Sequence, residues 1–300
     1  MGLESVRKAA MNHILFFGFG FSARALARRL DPVQWKISGT SRDDEGVAEI
    51  ATLGFNGVLF DQLHNIPEDV THIVSSVPPG AKGDPVITNF GASLSGRAKQ
   101  LKWVAYLSTT GVYGDHGGAI VDETAALTPN TERGQRRVDA EAAWTGIESL
   151  PLHIFRLAGI YGPGRNALEN LREGTAKRII KSGQIFSRIH VEDIAGILQA
   201  SLARPRPQAI YNVADDEPCP PQDVIAYAAG LLGVEPPPDI PFEKAELSPM
   251  AKSFYADSKR VSNQLVKSEL GYQFQYPNYR VGLRALLHQR AAPDAKPFPE

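Results

Sequence analysis

The sequence predicts an α/β fold, a doubly wound parallel sheet with a smaller C-terminal lobe. Three observations carry that expectation. Short apolar runs alternate with helix-like stretches through the first half of the chain, the pattern of successive βαβ units. The first apolar run ends in a glycine turn, Gly18-Phe19-Gly20-Phe21-Ser22-Ala23, set between a strand and a helix. The second half is less regular, with Gly, Arg and Lys concentrated in 161–189 and proline-rich stretches at 218–221 and 236–241.

His13 to Phe17 is a continuous apolar run and predicts a strand buried on both faces. Phe21 to Leu30 follows with Ala23, Leu26, Ala27 and Leu30 at i, i+3, i+4 and i+7, an amphipathic helix that Pro32 closes. Trp35 to Gly39 reads as the second strand and Gly57 to Phe60 as the third. Thr71 to Val77 reads as the fourth, stopped by Pro78-Pro79-Gly80. Trp103 to Leu107 and Leu152 to Leu157 are the fifth and sixth. A helix is expected from Val191 to Leu202, then a short strand from Ala209 to Val213. This organisation predicts a dinucleotide-binding domain over 11–160, completed by 190–216. The remaining segments, 161–189 and 217–290, form a substrate-binding lobe over the sheet's carboxyl edge.

Composition narrows the class. The chain has 300 residues, 43% hydrophobic and 22% charged, which excludes disordered and fibrous proteins and allows a large core without covalent staples. Lys+Arg 32 against Asp+Glu 33 gives a net charge of -1, and no nucleic-acid partner is expected. The one cysteine, Cys219, excludes an internal disulfide or a cysteine metal cluster and fits a cytoplasmic setting. The seven histidines are scattered, so no metal is expected. No stretch approaches the ~18–20 apolar residues of a membrane span. Residues 1–10 read as a loose extension without an export signal, and 291–300, with three prolines, as a frayed tail.

The glycine turn has the pattern G-x-G-x-x-A of a Rossmann-type dinucleotide site. Gly18 permits the tight turn, Gly20 admits a pyrophosphate close to the backbone, and Ala23 allows close helix–strand packing. The helix start at Phe21 and Ser22 then offers N–H groups and a positive dipole end. The second strand ends Gly39-Thr40-Ser41-Arg42. Arg42 can pair with a ribose 2′-phosphate and Ser41 can bond the same group, which favours NADP(H). With Asp43 on the ribose instead, NAD(H) would bind. Asp61 is the candidate for the adenine edge, and Ser75, Ser76 and Val77 for the passage of the nicotinamide ribose.

Beyond this point the residues resemble the extended short-chain dehydrogenase/reductase superfamily. The resemblance lies in Ser108-Thr109-Thr110-Gly111-Val112-Tyr113-Gly114, in Asp122-Glu123 and Thr128-Pro129, and in Arg156 to Gly164. It continues in Ile189-His190-Val191-Glu192-Asp193-Ile194-Ala195 and Tyr211-Asn212-Val213. These blocks follow family order over about 200 residues and imply an NAD(P)-binding oxidoreductase or epimerase/dehydratase-like enzyme acting on a small or nucleotide-linked carbonyl or hydroxyl group. The family's Ser/Thr position falls on Thr109. Its Tyr-x-x-x-Lys pair is absent: Arg133 stands at the Tyr position and Arg137 at the Lys position, and no Tyr lies between Tyr113 and Tyr161. The glycine turn is also one residue shorter than the family's G-x-x-G-x-x-G. Both departures are similar to the atypical branch that includes bacterial YeeZ-like proteins.

Guanidinium is a poor acid–base group near neutral pH, so Arg133 cannot replace a tyrosine. It can bind an anion or stabilise an oxyanion, and Arg137 can touch the ribose or a phosphate. Arg133, Arg136 and Arg137 also fall together on a helix face that water alone could cover. Tyr113 and Tyr161 are candidate proton donors, or packing residues of family loops. In the lobe, Arg165, Arg178 and Arg188 belong to a basic stretch that suits an anionic substrate, with His190 beside it as an orienting residue at the helix start. A non-catalytic NADP(H)-binding sensor or interaction protein is the alternative. The family often pairs helices near 84–100 and 133–148 into a homodimer; the three arginines leave monomer and homodimer both open.

Overall fold

The computed structural model describes residues 11–290. The expectations for 1–10 and 291–300 fall outside them. The sheet strands of the first half are β1 (Asn12–Phe17), β2 (Trp35–Ser41), β3 (Asn56–Leu59), β4 (His72–Ser75) and β5 (Trp103–Thr109). The rest of the chain supplies short β6 (Ile120–Val121), then β7 (Leu152–Leu157), β8 (Gly159–Tyr161), β9 (Arg178–Ile180), β10 (Arg188–His190), β11 (Ala209–Val213), β12 (Asp239–Pro241) and β13 (Arg260–Val261). The helices are α1 (Phe21–Arg29), α2 (Asp44–Thr52), α3 (Pro85–Arg97), α4 (Glu132–Thr145), α5 (Ala167–Arg172), α6 (Val191–Ala203), α7 (Pro221–Leu232), α8 (Pro249–Phe254), α9 (Gln264–Leu270) and α10 (Tyr279–Arg290).

Seven strands form one parallel sheet in the order β11-β7-β5-β4-β1-β2-β3. β1 shows why its sequence has no polar alternation. Ile14 and Phe16 join one apolar layer with α1 and α6, while Leu15 and Phe17 join the opposite layer with α3 and α4. A strand covered on both faces favours an unbroken apolar run, here Ile14 to Phe17. Two strands run further than their apolar runs. β5 continues to Thr109 because Ser108 and Thr109 still pair with Arg156 and Leu157, and β2 reaches Ser41 through its pairing with Leu59. The expected strand 71–77 is shorter; the Ser76 amide still bonds the Phe17 carbonyl at 2.9 Å, and Pro78 and Pro79 then lack donors.

The helices start on identifiable caps. Asp84 accepts from the amides of Val86 and Ile87 at 2.8 and 3.1 Å, with Pro85 in the first turn of α3. Its second oxygen accepts from Trp144 Nε1 at 3.2 Å, tying α4 to the start of α3. Thr131 caps α4 by accepting from the Gly134 amide at 3.0 Å. Gly134 also lets α4 approach the tip of β5, since a Cβ there would stand 2.9 Å from the Gly111 carbonyl oxygen. A third, smaller apolar cluster, with Leu168, Val224, Ala228 and Leu283, joins α5, α7 and α10.

A buried polar network ties β5, β7, β11 and α4 together. Glu141 is 4% exposed and Arg156 3%. Glu141 accepts from Ser108 Oγ at 2.6 Å and from Arg156 Nη2 at 2.8 Å. Arg156 Nη1 donates to the Tyr113 hydroxyl at 2.9 Å, which donates to Asn212 Oδ1 at 2.7 Å. Removing one partner of such a pair strands a charge in the core. Glu141→Ala is therefore expected to lower the unfolding free energy by about 3–5 kcal/mol, read from urea denaturation. Adding Arg156→Met to it should restore part of that loss.

Candidate active site

Because every sheet strand runs the same way, the carboxyl ends line one edge, where doubly wound folds bind ligands. The glycine turn sits at the centre of it. Gly18 has φ +79°, and a Cβ there would lie 2.9 Å from Ser76 Oγ. Its amide donates to Thr40 Oγ1 at 2.9 Å, and its carbonyl accepts from Ser76 Oγ at 3.0 Å, so the turn is clamped from both neighbouring strands. Phe19 points down, packing edge-on against Phe16 at 5.3 Å, and Ala23 is buried in the same core. These two shape the turn from beneath. Gly20, Phe21 and Ser22 face the cleft. Gly20 caps α1 without a side-chain bond, and a Cβ on it would meet no atom within 4 Å. The open helix start, with no acid in its first turn, fits a pyrophosphate.

Farther along the edge, Arg42 is exposed and makes no hydrogen bond or ion pair among the described residues. Ser41 Oγ donates to Asp43 Oδ1 at 3.3 Å, and the same oxygen of Asp43 accepts from the Gly46 amide at 2.8 Å as the cap of α2. Asp43 is thereby engaged by its own helix while Arg42 projects from the strand tip. Asp61 is exposed in a single helical turn, Phe60–Gln62, after β3. Ser75 is wholly buried, Val77 half-buried beside Gly18, and Ser76 alone of the three lines the cleft.

A cavity of about 550 Å³ runs from the start of α1 past the tip of β5 to the C-terminal segments. The three arginines of α4 have three different fates. Arg136 pairs with Glu132 on the outer face. Arg137 turns inward, 9% exposed, donating to the Leu107 carbonyl at 2.8 Å and the Tyr106 hydroxyl at 3.1 Å. Arg133 sits at the cleft's rim, 5.7 Å from the Phe254 ring centre. Desolvation, then the charges of Arg137 and Arg165, hold its pKa below the ordinary arginine value. Thr109 lines the cleft and accepts from the Gly111 amide at 3.2 Å.

The tyrosines lie deeper. Tyr113 is fully buried, outside the cleft's lining, with its hydroxyl engaged by Asn212 and Arg156; burial pushes its pKa up. Tyr161 reaches the lining, but its hydroxyl donates to the Asn278 carbonyl at 3.4 Å, and burial, then Asp215 and Asp193, pushes its pKa far up. Arg165 and Arg188 line the cleft. Arg178 is turned away, paired with Asp239 at 2.7 Å. His190 lies under the floor, 1% exposed, its Nδ1 accepting from the Glu192 amide at 3.2 Å as the cap of α6.

Sequence reasoning missed Asp257 and Lys259. Lys259 is 7% exposed in the cleft wall, donating to the Gly114 carbonyl at 2.7 Å and Asp257 Oδ2 at 3.0 Å. Asp257 Oδ1 has no partner among the described residues. Nothing at Asp257-Ser258-Lys259 marks them, because they meet the cleft through a contact to Gly114, 145 positions upstream.

No family model matches the chain. A solved structure of a functionally unknown conserved protein from Silicibacter pomeroyi is 54% identical, covering 93% of this chain and 99% of that one, with a TM-score of 0.90. Protein YeeZ of Escherichia coli K12 is 28% identical over 284 residues, 89% of this chain and 97% of that protein. A structure from Methylobacillus flagellatus, proposed as an NAD-dependent epimerase/dehydratase, is 25% identical with a TM-score of 0.72, covering 94% of this chain and all of that one. Among the described residues, no helix is long and apolar enough to cross a membrane.

His190 makes the floor of the site sensitive to acid. Burial lowers its pKa from 6.5 to about 4, so the folded chain refuses a proton that the unfolded chain accepts between those values. Stability therefore rises with pH through that window and is lost as pH falls from 6.5 toward 4. His190→Asn retains a capping side chain. Urea unfolding across pH 4–6.5 should show its stability falling less steeply, by up to about 1.4 kcal/mol per pH unit.

Proposed function

The chain belongs to the family of the Silicibacter pomeroyi protein, an atypical extended short-chain dehydrogenase/reductase-like family, and on that premise we propose that it is an NADP(H)-dependent oxidoreductase. Its substrate would be a small anionic molecule carrying a carbonyl or hydroxyl group. The observation that carries this reading is the open start of α1 at Gly20, facing the same cleft as Thr109 and Arg133. The Methylobacillus flagellatus relative, proposed as NAD-dependent, supports a nicotinamide cofactor, and the unpaired Arg42 supports the 2′-phosphate form.

In this reading the N–H groups of Phe21 and Ser22 bind the pyrophosphate, and Ser76 and Thr109 line the path of the ribose and ring. The bound nicotinamide supplies hydride chemistry. Arg137 stiffens the wall from below through Leu107 and Tyr106. Thr109 and Arg133 hold the substrate oxygen by a hydrogen bond and a fixed positive charge. Lys259 is the one ammonium among the described residues that line the cleft, and it holds the proton that oxygen receives. Tyr113 acts through packing, since its hydroxyl is engaged in the core network.

Parallel calorimetric titrations with NADPH and NADH test the cofactor assignment. NADPH should bind at least tenfold tighter. Arg42→Ala should weaken NADPH about ten- to a hundredfold, the worth of a charge-assisted hydrogen bond, and leave NADH unchanged. Equal affinities untouched by the substitution would remove the NADP(H) assignment. NADPH binding without turnover of any aldehyde, ketone or nucleotide sugar would move the function to a cofactor-responsive binding protein.

A further inference from the structure

We propose that the cleft opens into a second, apolar compartment that receives the non-polar end of an organic acid, whose carboxylate is held at the junction by Arg165 and Arg188. The inference deepens the oxidoreductase reading by naming a substrate class, and it rests on that reading for the placement of the reaction. The compartment has a volume of about 300 Å³ and lies between α5, α7 and α10. Its walls include Ala167, Pro221, Val224, Ile225, Tyr279 and Leu283. Val224, Tyr279 and Leu283 also belong to the third apolar cluster, so the walls are part of a packed core.

Both arginines line both spaces, as do Ile160 and Tyr161, so the two cavities meet at β8 and the turn that follows it. Arg188 is held in place through one nitrogen. Its Nη1 donates to the Phe186 carbonyl at 3.1 Å and to the Cys219 carbonyl and Sγ at 3.3 and 3.1 Å. Its Nε and Nη2 have no partner among the described residues, nor has the exposed side chain of Arg165. Two guanidinium groups with open donors beside an apolar wall suit a carboxylate bearing a hydrocarbon tail.

Neighbouring acids do not neutralise this junction. Glu217 pairs with Arg280 at 2.8 Å. Asp215 is 1% exposed, and burial pushes its carboxyl up to about 8, which disfavours its charged form. Besides the two arginines, Asn166, Asn170 and Tyr279 bring polar groups to the lining. Asn166 is engaged as the cap of α5, accepting from the amides of Leu168 and Glu169 and donating to the Gly162 carbonyl. The Tyr279 hydroxyl, on a side chain 1% exposed, has no partner among the described residues, and a purely hydrocarbon tail leaves it so. At about 30 Å³ per water-sized group, the space holds a tail on the order of ten heavy atoms.

The test is calorimetric titration of the full chain, with and without NADPH, using butanoate, hexanoate and octanoate, with octylammonium as the charge control. Affinity should rise about threefold to fourfold per methylene from butanoate to octanoate, and octylammonium should not bind. Arg188→Met should weaken octanoate at least tenfold. Ile225→Trp, which narrows a half-buried wall, should abolish the dependence on chain length while leaving butanoate binding intact; Ala167→Leu is the milder second variant, with thermal melts confirming that each folds. Affinity independent of chain length, equal binding of octylammonium, or octanoate binding indifferent to both wall variants would overturn the proposal. Octanoate binding of this kind without NADPH binding would remove the cofactor reading and leave the compartment standing. NADPH binding with flat chain-length behaviour would do the reverse.

Discussion

The common direction of the seven sheet strands is the constraint on which the site depends. A parallel sheet collects the carboxyl ends of β1, β2, β4 and β5 on one edge, and every element presented to the cleft hangs from that edge or crosses it. The turn after β1 is held rigid by Thr40 from β2 and Ser76 from the end of β4, both acting on Gly18. Neither clamp would exist if either neighbour ran the other way. The open start of α1 is thus a consequence of sheet polarity combined with one left-handed glycine.

A second constraint lies beneath the first. The Glu141–Arg156 pair connects α4 to β7, and through Ser108, Tyr113 and Asn212 it reaches β5, the loop after it and β11. This arrangement explains how α4 keeps its place at the tip of β5 while carrying Arg133 and Arg137. Arg137 bonds the Leu107 carbonyl from within, and Gly134 permits the contact with Gly111. Arg133, Gly134 and Arg137 therefore build part of the wall of the cleft. The ammonium in that wall comes from Lys259, near the other end of the chain.

The basic stretch 161–190 is a single feature in sequence and several in space. Arg165 and Arg188 converge on the junction of two cavities, while Arg178 closes onto Asp239 beside the short β9–β12 pair. Net charge along a segment cannot distinguish these outcomes, because pairing depends on which strand the segment lies beside. The compartment between α5, α7 and α10 arises in the same way, from three short helices that are distant in sequence.

What the sequence by itself determined was local: the alternation of strands and helices, the glycine turn after Phe17, and the grouping of Arg133, Arg136 and Arg137 on one helix. Each of these is written in consecutive residues whose backbone preferences and apolar periodicity act over a few positions. Only the tertiary structure decided the fates of Arg133, Arg136 and Arg137, which adjacent positions on one helix made look alike. Only it showed Tyr113 engaged by Asn212, 99 positions away, and Lys259 brought to Gly114. Burial and hydrogen bonding are properties of what surrounds a side chain, and those neighbours come from distant parts of the chain.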